Sequence, residues 1–267
     1  MAASRLSFLR ENKCRSLAKS VLEKFHVCSA ADIDIETIVW HEGRLRVKVG
    51  GLTNSEGRLV ATQRGGIIRV ASKHNLGRFR FTVAHELGHY LLHPRKIHDK
   101  DISKADLTVW NDATEEAEAN VFAAEFLMPK VLFEPHCRGE PSIGKLQNVA
   151  KEFRTSLTAT AFQFYRYTRE PVAIVLSNGW SMKRFFPFRD EGSPRIRFGD
   201  VSPDSAAGER LAERDQDPGR MVRVPASAWL EGFDDRPEVD IWEDSRYLKH
   251  YDLTLTILWI DECLEND

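Results

Sequence analysis

The spacing of hydrophobic and polar positions changes along the chain, and this change predicts where strands and helices lie. Apolar and polar residues alternate at Leu45–Val49 and less cleanly at Arg58–Thr62, which is typical of half-buried strands. A third run, Ile67–Ala71, follows Gly65-Gly66, which we interpret as a hairpin turn. These runs predict a small sheet ahead of the longer apolar segment at Arg80–His93.

The segment at residues 80–93 has the period of a buried helix. When His85 is placed at zero and each residue advances about 100°, one narrow polar stripe remains. It is formed by Thr82, His85, Glu86, His89 and His93. A helix that is apolar around most of its circumference is buried, so this stripe faces a cleft or a ligand.

The sequence His85-Glu86-Leu87-Gly88-His89 has the spacing of a catalytic zinc site. Residues four apart lie one above the other on a helix, so both imidazoles can bind one metal ion. Glu86 lies beside them and can accept a proton from water during hydrolysis. With nine histidines, a chance match is expected in about one or two of a hundred such chains. Buried histidines stacked with a carboxylate are costly unless bound, which favours the metal site.

A third ligand is needed, because catalytic zinc usually binds three protein side chains. The best source is a helix predicted at residues 114–128, with Asp112 as its cap and Pro129 as its end. The small residues Ala119 and Ala123 would allow this helix to approach the histidine helix closely.

The angles around this second helix favour Glu116 as the third ligand. Glu118 and Glu125 share the polar side and are expected to be solvated, whereas Glu116 and Asn120 lie opposite them on the apolar side. A carboxylate on an apolar face must be paired or bound to metal. The angle alone leaves Glu115 open, although its place in the first turn offers it solvent and the helix dipole.

Two sequence blocks resemble the ImmA/IrrE family of bacterial metallo-endopeptidases. They read RFTVAHELGHYLLH at residues 80–93 and EAEANVFAAEFLMP at residues 116–129. The resemblance covers about residues 55–165 and implies a zincin-like fold, with Glu116 as the third zinc ligand. His93 also fits the family pattern, and we interpret it as a helix-end residue or one that supports a ligand. A third histidine ligand of the metzincin type is excluded, because Arg95 stands where that pattern needs histidine.

The expected fold class is α+β. We predict a zincin-like metalloprotease domain at residues 1–168 and a β-rich C-terminal region at residues 169–267. Outside the zinc helices, the predicted elements are a helix at Arg15–Phe25, a helix at Leu146–Phe153, a helix capped by Ser156, a hairpin with Asn178-Gly179 as its turn, a long loop at 190–220 with one short helix, and a strand at Leu253–Trp259. We also expect Ile67–Val70 to be an edge strand along which an extended substrate binds.

Charge and composition limit which binding partners, which state of the cysteines and which cellular compartment are expected. The net charge of −2 argues against direct nucleic-acid binding through phosphate neutralisation. Four scattered cysteines, Cys14, Cys28, Cys137 and Cys263, indicate free thiols rather than a disulfide framework or a zinc knuckle. No apolar signal sequence or membrane-spanning run is present, so a cytoplasmic soluble protein is expected.

The resemblance implies a substrate as well as a reaction. It implies zinc-dependent cleavage of a helix-turn-helix transcriptional repressor, here a separate protein, which relieves repression in a mobile element or a stress response. The alternative is a non-cleaving zinc-containing module that sequesters a regulator or acts as an antitoxin-like scaffold, but such a module has no need of Glu86. The oxyanion-stabilising residue stays open among His93, His98 and His136. The C-terminal region is open between structural, sensory and substrate-selecting roles.

Overall fold

A computed structural model of the chain shows two compact units. It describes residues 8–52, 55–62, 64–72, 75–94, 98–102, 114–189, 192–213, 220–249 and 251–260. The first unit takes in the chain up to Phe133 together with Ala150–Ala159, and the second consists of Glu134–Val149 and Thr160 onwards. The predicted boundary after residue 168 stays a prediction.

The first unit combines helices with a mixed sheet. Its helices are α1 (Phe8–Lys24), α2 (Ile35–Gly43), α3 (Leu76–Leu92), α4 (Glu115–Leu127) and α5 (Lys130–Phe133), and its strands are β1 (Leu45–Val49), β2 (Gly57–Thr62), β3 (Gly65–Val70) and β4 (His98–Ile102). The sheet order is β1-β3-β2-β4, with β1 and β3 parallel and the other neighbours antiparallel. Strands at the three predicted places and a helix through the histidine motif are confirmed, as is the α+β class.

The position of β3 differs from the expectation of a substrate-binding edge at Ile67–Val70, which is wrong. Ile68 pairs with Val47 of β1 on one side and with Leu59 of β2 on the other, so both edges of this strand are used. Alternation along a strand predicts its two faces but not which strands pair with its two edges. Among the described strands, β1 and β4 form the edges of this sheet.

The glycine pair before Ile67 lies inside β3 rather than in a turn. Gly65 is already paired with Thr62 of β2, and Gly66 with Ala61. A Cβ at Gly66 would lie 2.3 Å from the Val60 carbonyl oxygen. Glycine is therefore needed at this position for close strand approach.

The second unit is built around a five-stranded antiparallel sheet. Its order is β6-β5-β9-β8-β7, formed by β5 (Val172–Asn178), β6 (Ser181–Phe186), β7 (Val222–Pro225), β8 (Asp240–Leu248) and β9 (Leu253–Trp259). The remaining helices are α6 (Ile143–Phe153), α7 (Leu157–Tyr167) and α8 (Ala206–Glu213), and the division between the units passes through α6 and α7. The β-containing C-terminal region is thereby confirmed. In the described residues no helix is long and apolar enough to span a membrane.

The predicted hairpin in this unit is present, but its turn is shifted by one residue. Asn178 pairs with Ser181, so the two turn residues are Gly179 and Trp180 instead of Asn178 and Gly179. Gly179 has φ of +52°, a value that glycine adopts without strain. The turn therefore presents a tryptophan where small polar residues are usual.

Two adjacent acidic residues of β8 are buried and hold the beginnings of two helices. The Glu243 carboxylate accepts hydrogen bonds from the amides of Ala206 and Ala207 at 3.0 and 2.7 Å, at the start of α8. Asp244 Oδ2 accepts from the amide of Ile143, the first residue of α6, at 2.7 Å. A carboxylate at a helix N-terminus satisfies donors that have no partner within the helix.

Candidate metal centre

Two capped helices supply the side chains of the site. Asn75 caps α3 by accepting from the amide of Arg78 at 2.9 Å, and the helix ends before His93. Thr114 caps α4 by accepting from the amide of Ala117 at 3.2 Å. Asp112, which we expected to be the cap, lies outside the described residues.

The two helices approach each other closely at Gly88. A Cβ added there would lie 3.2 Å from Ala119 Cα and 3.1 Å from Phe122 Cδ1, which is tighter than ordinary van der Waals contact. The small residues predicted to permit close packing therefore lie at the contact. This approach brings the histidine stripe of α3 against the buried face of α4.

Three donor atoms converge between the helices. His85 Nε2 lies 3.0 Å from His89 Nε2, and each of these atoms lies 3.2 Å from Glu116 Oε2. His85 is fully buried, whereas His89 and Glu116 are 8% and 9% exposed. The structure therefore brings together the three residues predicted as metal ligands, and Glu115 is not part of the group.

Asn120 determines which nitrogen of His85 faces this group. His85 Nδ1 lies 2.8 Å from Asn120 Oδ1, and both residues are fully buried. The amide oxygen can only accept, so Nδ1 carries the proton and donates it. In a neutral imidazole the other nitrogen, Nε2, then presents a lone pair toward His89 and Glu116.

The donor set fits a divalent metal ion. With ligands about 2.0–2.1 Å from zinc in a tetrahedral arrangement, neighbouring donor atoms are separated by roughly 3.3 Å. The separations of 3.0 and 3.2 Å are close to this value. Two imidazole nitrogens and a carboxylate oxygen so close together repel one another unless a cation or a proton lies between them. His85, His89 and Glu116 could therefore hold a metal ion.

Comparison with known proteins agrees with this geometry. The model of a peptidase family, described as the IrrE N-terminal-like domain, matches residues 44–165. The chain carries an IrrE N-terminal-like domain. It is a domain of the metallopeptidase type, and the resemblance inferred from the two sequence blocks is confirmed.

The fold has a counterpart among solved structures. A Mycobacterium tuberculosis transcriptional regulator aligns with a TM-score of 0.59 and 15% sequence identity, covering 96% of this chain and 92% of that one. At this identity the likeness shows the fold alone. No curated protein matches the chain in sequence.

Glu86 belongs to α3, and its side chain lies beside the start of β2. Its side chain is 1% exposed, and a Cβ added to Gly57 would lie 3.1 Å from Glu86 Oε1 and 2.5 Å from Thr82 Cγ2. Glycine at position 57 therefore leaves room first for the Thr82 methyl group and then for the Glu86 carboxylate. The sequence alone did not predict this role for Gly57, because Gly57 contacts α3, which comes two elements later in the chain.

The two glutamates expected to be solvated on α4 are buried, so that prediction is wrong. Glu118 is 8% exposed and Glu125 is 6% exposed. Glu118 Oε1 accepts from Arg10 of α1 at 2.5 Å, and Glu118 Oε2 lies 3.3 Å from His93 Nε2. Glu125 accepts from the amide of Lys130 at 2.8 Å. Because α1 and the chain after α4 cover this side, the angles around one helix could not predict its environment.

The other histidines and Arg80 have distinct positions. His93 is the C-cap of α3, as interpreted from the sequence. His98 lies in β4, and His136 lies in a short 3-10 turn of the second unit. Arg80, part of the first sequence block, is buried and donates from Nη1 to the Ile33 carbonyl oxygen at 3.1 Å. It ties α3 to the chain before α2, a structural role for a residue with no part in metal binding.

Proposed function

We propose that the chain is a zinc-dependent endopeptidase in which His85, His89 and Glu116 hold Zn²⁺. The observation that carries the proposal is the convergence of three donor atoms within 3.2 Å of one another. Glu86 adjoins His85 in the chain and serves as the catalytic residue. A purely structural zinc site usually has four protein ligands, whereas a catalytic one has three and an open position.

Glu86 moves the proton that the reaction must transfer. Zinc, when bound, would lower the pKa of water and polarise the carbonyl of a peptide bond. A carboxylate oxygen of Glu86 takes a proton from the attacking water as the water oxygen bonds to the carbonyl carbon. The C–N bond then breaks, and Glu86 gives the proton to the leaving amine. Asn120 keeps His85 in the tautomer that this arrangement needs.

The substrate that we propose is a helix-turn-helix transcriptional repressor, a separate protein whose cleavage relieves repression. This rests on the family resemblance of the two sequence blocks. We place the reaction in the cytoplasm. Cys14, Cys28 and Cys137 are free thiols, which suits a reducing compartment.

The test uses Glu86→Gln as a trap. This variant should keep its zinc but lose turnover, because glutamine has the shape of glutamate and cannot accept the proton. Partners recovered from the host with Glu86→Gln would be incubated with the zinc-loaded wild type, and fragments would be identified by mass spectrometry. Discrete fragments from the wild type and none from Glu86→Gln are expected. Full turnover by Glu86→Gln would reject the role of Glu86.

Glu116→Ala is the matched variant for metal binding. It should lose affinity for zinc, measured by competition with a chromophoric chelator, by more than the roughly 10- to 100-fold typical of residues that only support a ligand. A partner that binds both wild type and Glu86→Gln and is never cut would instead favour a sequestering module.

A further inference from the structure

The second unit contains a cavity that the peptidase site does not use. Its volume is about 350 Å³, at the small end of the range for small-molecule sites. It is lined by Gly179, Trp180, Arg210, Leu211, Tyr247 and Asp252. These residues come from the β5–β6 turn, from α8, and from the end of β8 with the turn that follows it.

Trp180 places an aromatic surface at this cavity. It is one of two residues in a tight turn, and its side chain is 44% exposed. Its carbonyl oxygen accepts from the amide of Val201 at 2.6 Å, so its backbone is held from outside the hairpin. The indole is therefore presented from an anchored turn, as a stacking surface requires.

Tyr247 adds a second aromatic ring whose hydroxyl is held in position. Its hydroxyl donates to Asp252 Oδ1 at 2.8 Å, and Asn178 Nδ2 lies 3.2 Å from Asp252 Oδ2. Asp252 itself has φ of +50°, an uncommon value for a residue other than glycine. Its carboxylate therefore serves to position Tyr247 within the lining.

Arg210 is the cationic side chain among the six lining residues, and it extends from α8. The start of this helix is fixed by the Glu243 carboxylate. A guanidinium group matches the planar oxygens of a carboxylate or phosphate and forms paired hydrogen bonds with them.

We propose that this cavity binds a small planar aromatic compound that carries one carboxylate or phosphate group. The aromatic part lies against Trp180 and Tyr247, and the anionic group pairs with Arg210. The two rings supply stacking surface, and the guanidinium supplies the charge. This binding does not depend on the peptidase reaction, so it holds whether or not the first unit cleaves a protein.

The test is calorimetric titration of the full chain with four probes. AMP and GMP carry an aromatic base with a phosphate, indole-3-carboxylate carries an aromatic ring with a carboxylate, and inorganic phosphate carries the charge alone. At least one aromatic anion should bind, and inorganic phosphate should bind at least about tenfold more weakly than that anion. Binding of the nucleotides alone would identify a phosphate ligand, and binding of indole-3-carboxylate alone an aromatic carboxylate, and both results support the proposal.

Variants locate the binding. Arg210→Gln and Trp180→Ala should each weaken binding by about tenfold or more, because each removes one of the two recognition elements. The matched controls are Arg220→Gln and Phe198→Ala, an exposed arginine and an exposed aromatic residue of the same unit outside the lining. These should change binding by less than about twofold. Absence of binding by every aromatic anion at millimolar concentration, or binding that Arg210→Gln and Trp180→Ala leave unchanged, would overturn the proposal.

Discussion

At the residue scale, Asn120 explains why His85 can serve as a ligand. It lies one turn after Glu116 on α4, so a single helix provides both a donor to the site and the partner of another donor. An amide in the middle of an apolar face was a visible signal, because a buried amide needs a hydrogen-bonding partner. Which partner it had could only be seen once α3 and α4 were packed together.

Asn120→Leu tests this role directly. It removes the acceptor from His85 Nδ1, so zinc affinity should fall by about 10- to 100-fold, as is typical when a ligand loses its orienting partner. The measurement is competition with a chromophoric chelator. Asn120→Asp keeps an acceptor at the same position and should retain most of the affinity. Equal affinities for Asn120→Leu and the wild type would show that Asn120 serves packing alone.

At the element scale, the contact between α3 and α4 determines whether the donor atoms converge. Gly88→Ala should lower zinc affinity by about tenfold, because the added Cβ would lie 3.1–3.3 Å from Phe122 and Ala119 and push the helices apart. Chelator competition measures the affinity, and urea unfolding measures the stability.

Gly144→Ala is the matched control for this helix contact. Apart from Gly144, its chain neighbours and the backbone of its own helix, no atom of the described residues lies within 4 Å of a Cβ built at this helical position. This variant should keep its zinc affinity and gain about 0.5 kcal/mol of unfolding free energy from helix propensity. Unchanged zinc affinity in Gly88→Ala would show that the helices can shift without disturbing the ligands.

Glu243 connects β8 to α8, and the stability that it contributes depends on pH with a predictable sign. Burial raises the pKa of Glu243 above its ordinary value of 4.5, although four hydrogen bonds oppose the shift. Below 4.5 both the folded and unfolded states hold the proton, so the stabilisation is complete. As the pH rises above 4.5, the unfolded state releases its proton first, and stability is lost until the pH passes the folded pKa.

Glu243→Gln removes this dependence. The unfolding free energy of the wild type minus that of Glu243→Gln should therefore decrease as the pH rises from about 4 toward 8. Urea unfolding followed by circular dichroism at several pH values measures the difference. A difference that increases with pH would mean that the four hydrogen bonds outweigh burial and lower the pKa instead.

At the scale of the whole molecule, metal binding should stabilise one unit and not the other. All three proposed ligands belong to the first unit. Zinc at a thousand times its Kd would stabilise the folded state by about 4 kcal/mol. Removing it with a chelator should increase hydrogen exchange in α3 and α4 and leave the sheet of the second unit unchanged. Mass spectrometry measures this exchange, and Glu116→Ala should show no response to the chelator. A uniform response across both units would contradict a site confined to the first.

The sequence alone was enough to predict the features that depend only on residues close together in the chain. Leu45–Val49 and Leu253–Trp259 were predicted with their observed bounds, because alternation along a strand is a local property. The candidate ligands could be chosen for a similar reason. His85 and His89 share a face through the helical period, and Glu116 was a carboxylate on an apolar face.

Only the tertiary structure decided which distant surfaces meet. The interior place of β3 depends on β1 and β2, and the burial of Glu118 depends on Arg10, which is 108 positions away. Gly57 beside Glu86 and Asn120 beside His85 are contacts of the same kind. The periodicity of one element shows which face is buried, but the partner of that face depends on packing between elements. The candidate ligands could therefore be chosen from the sequence, whereas the groups that hold and orient them could be identified only from the fold.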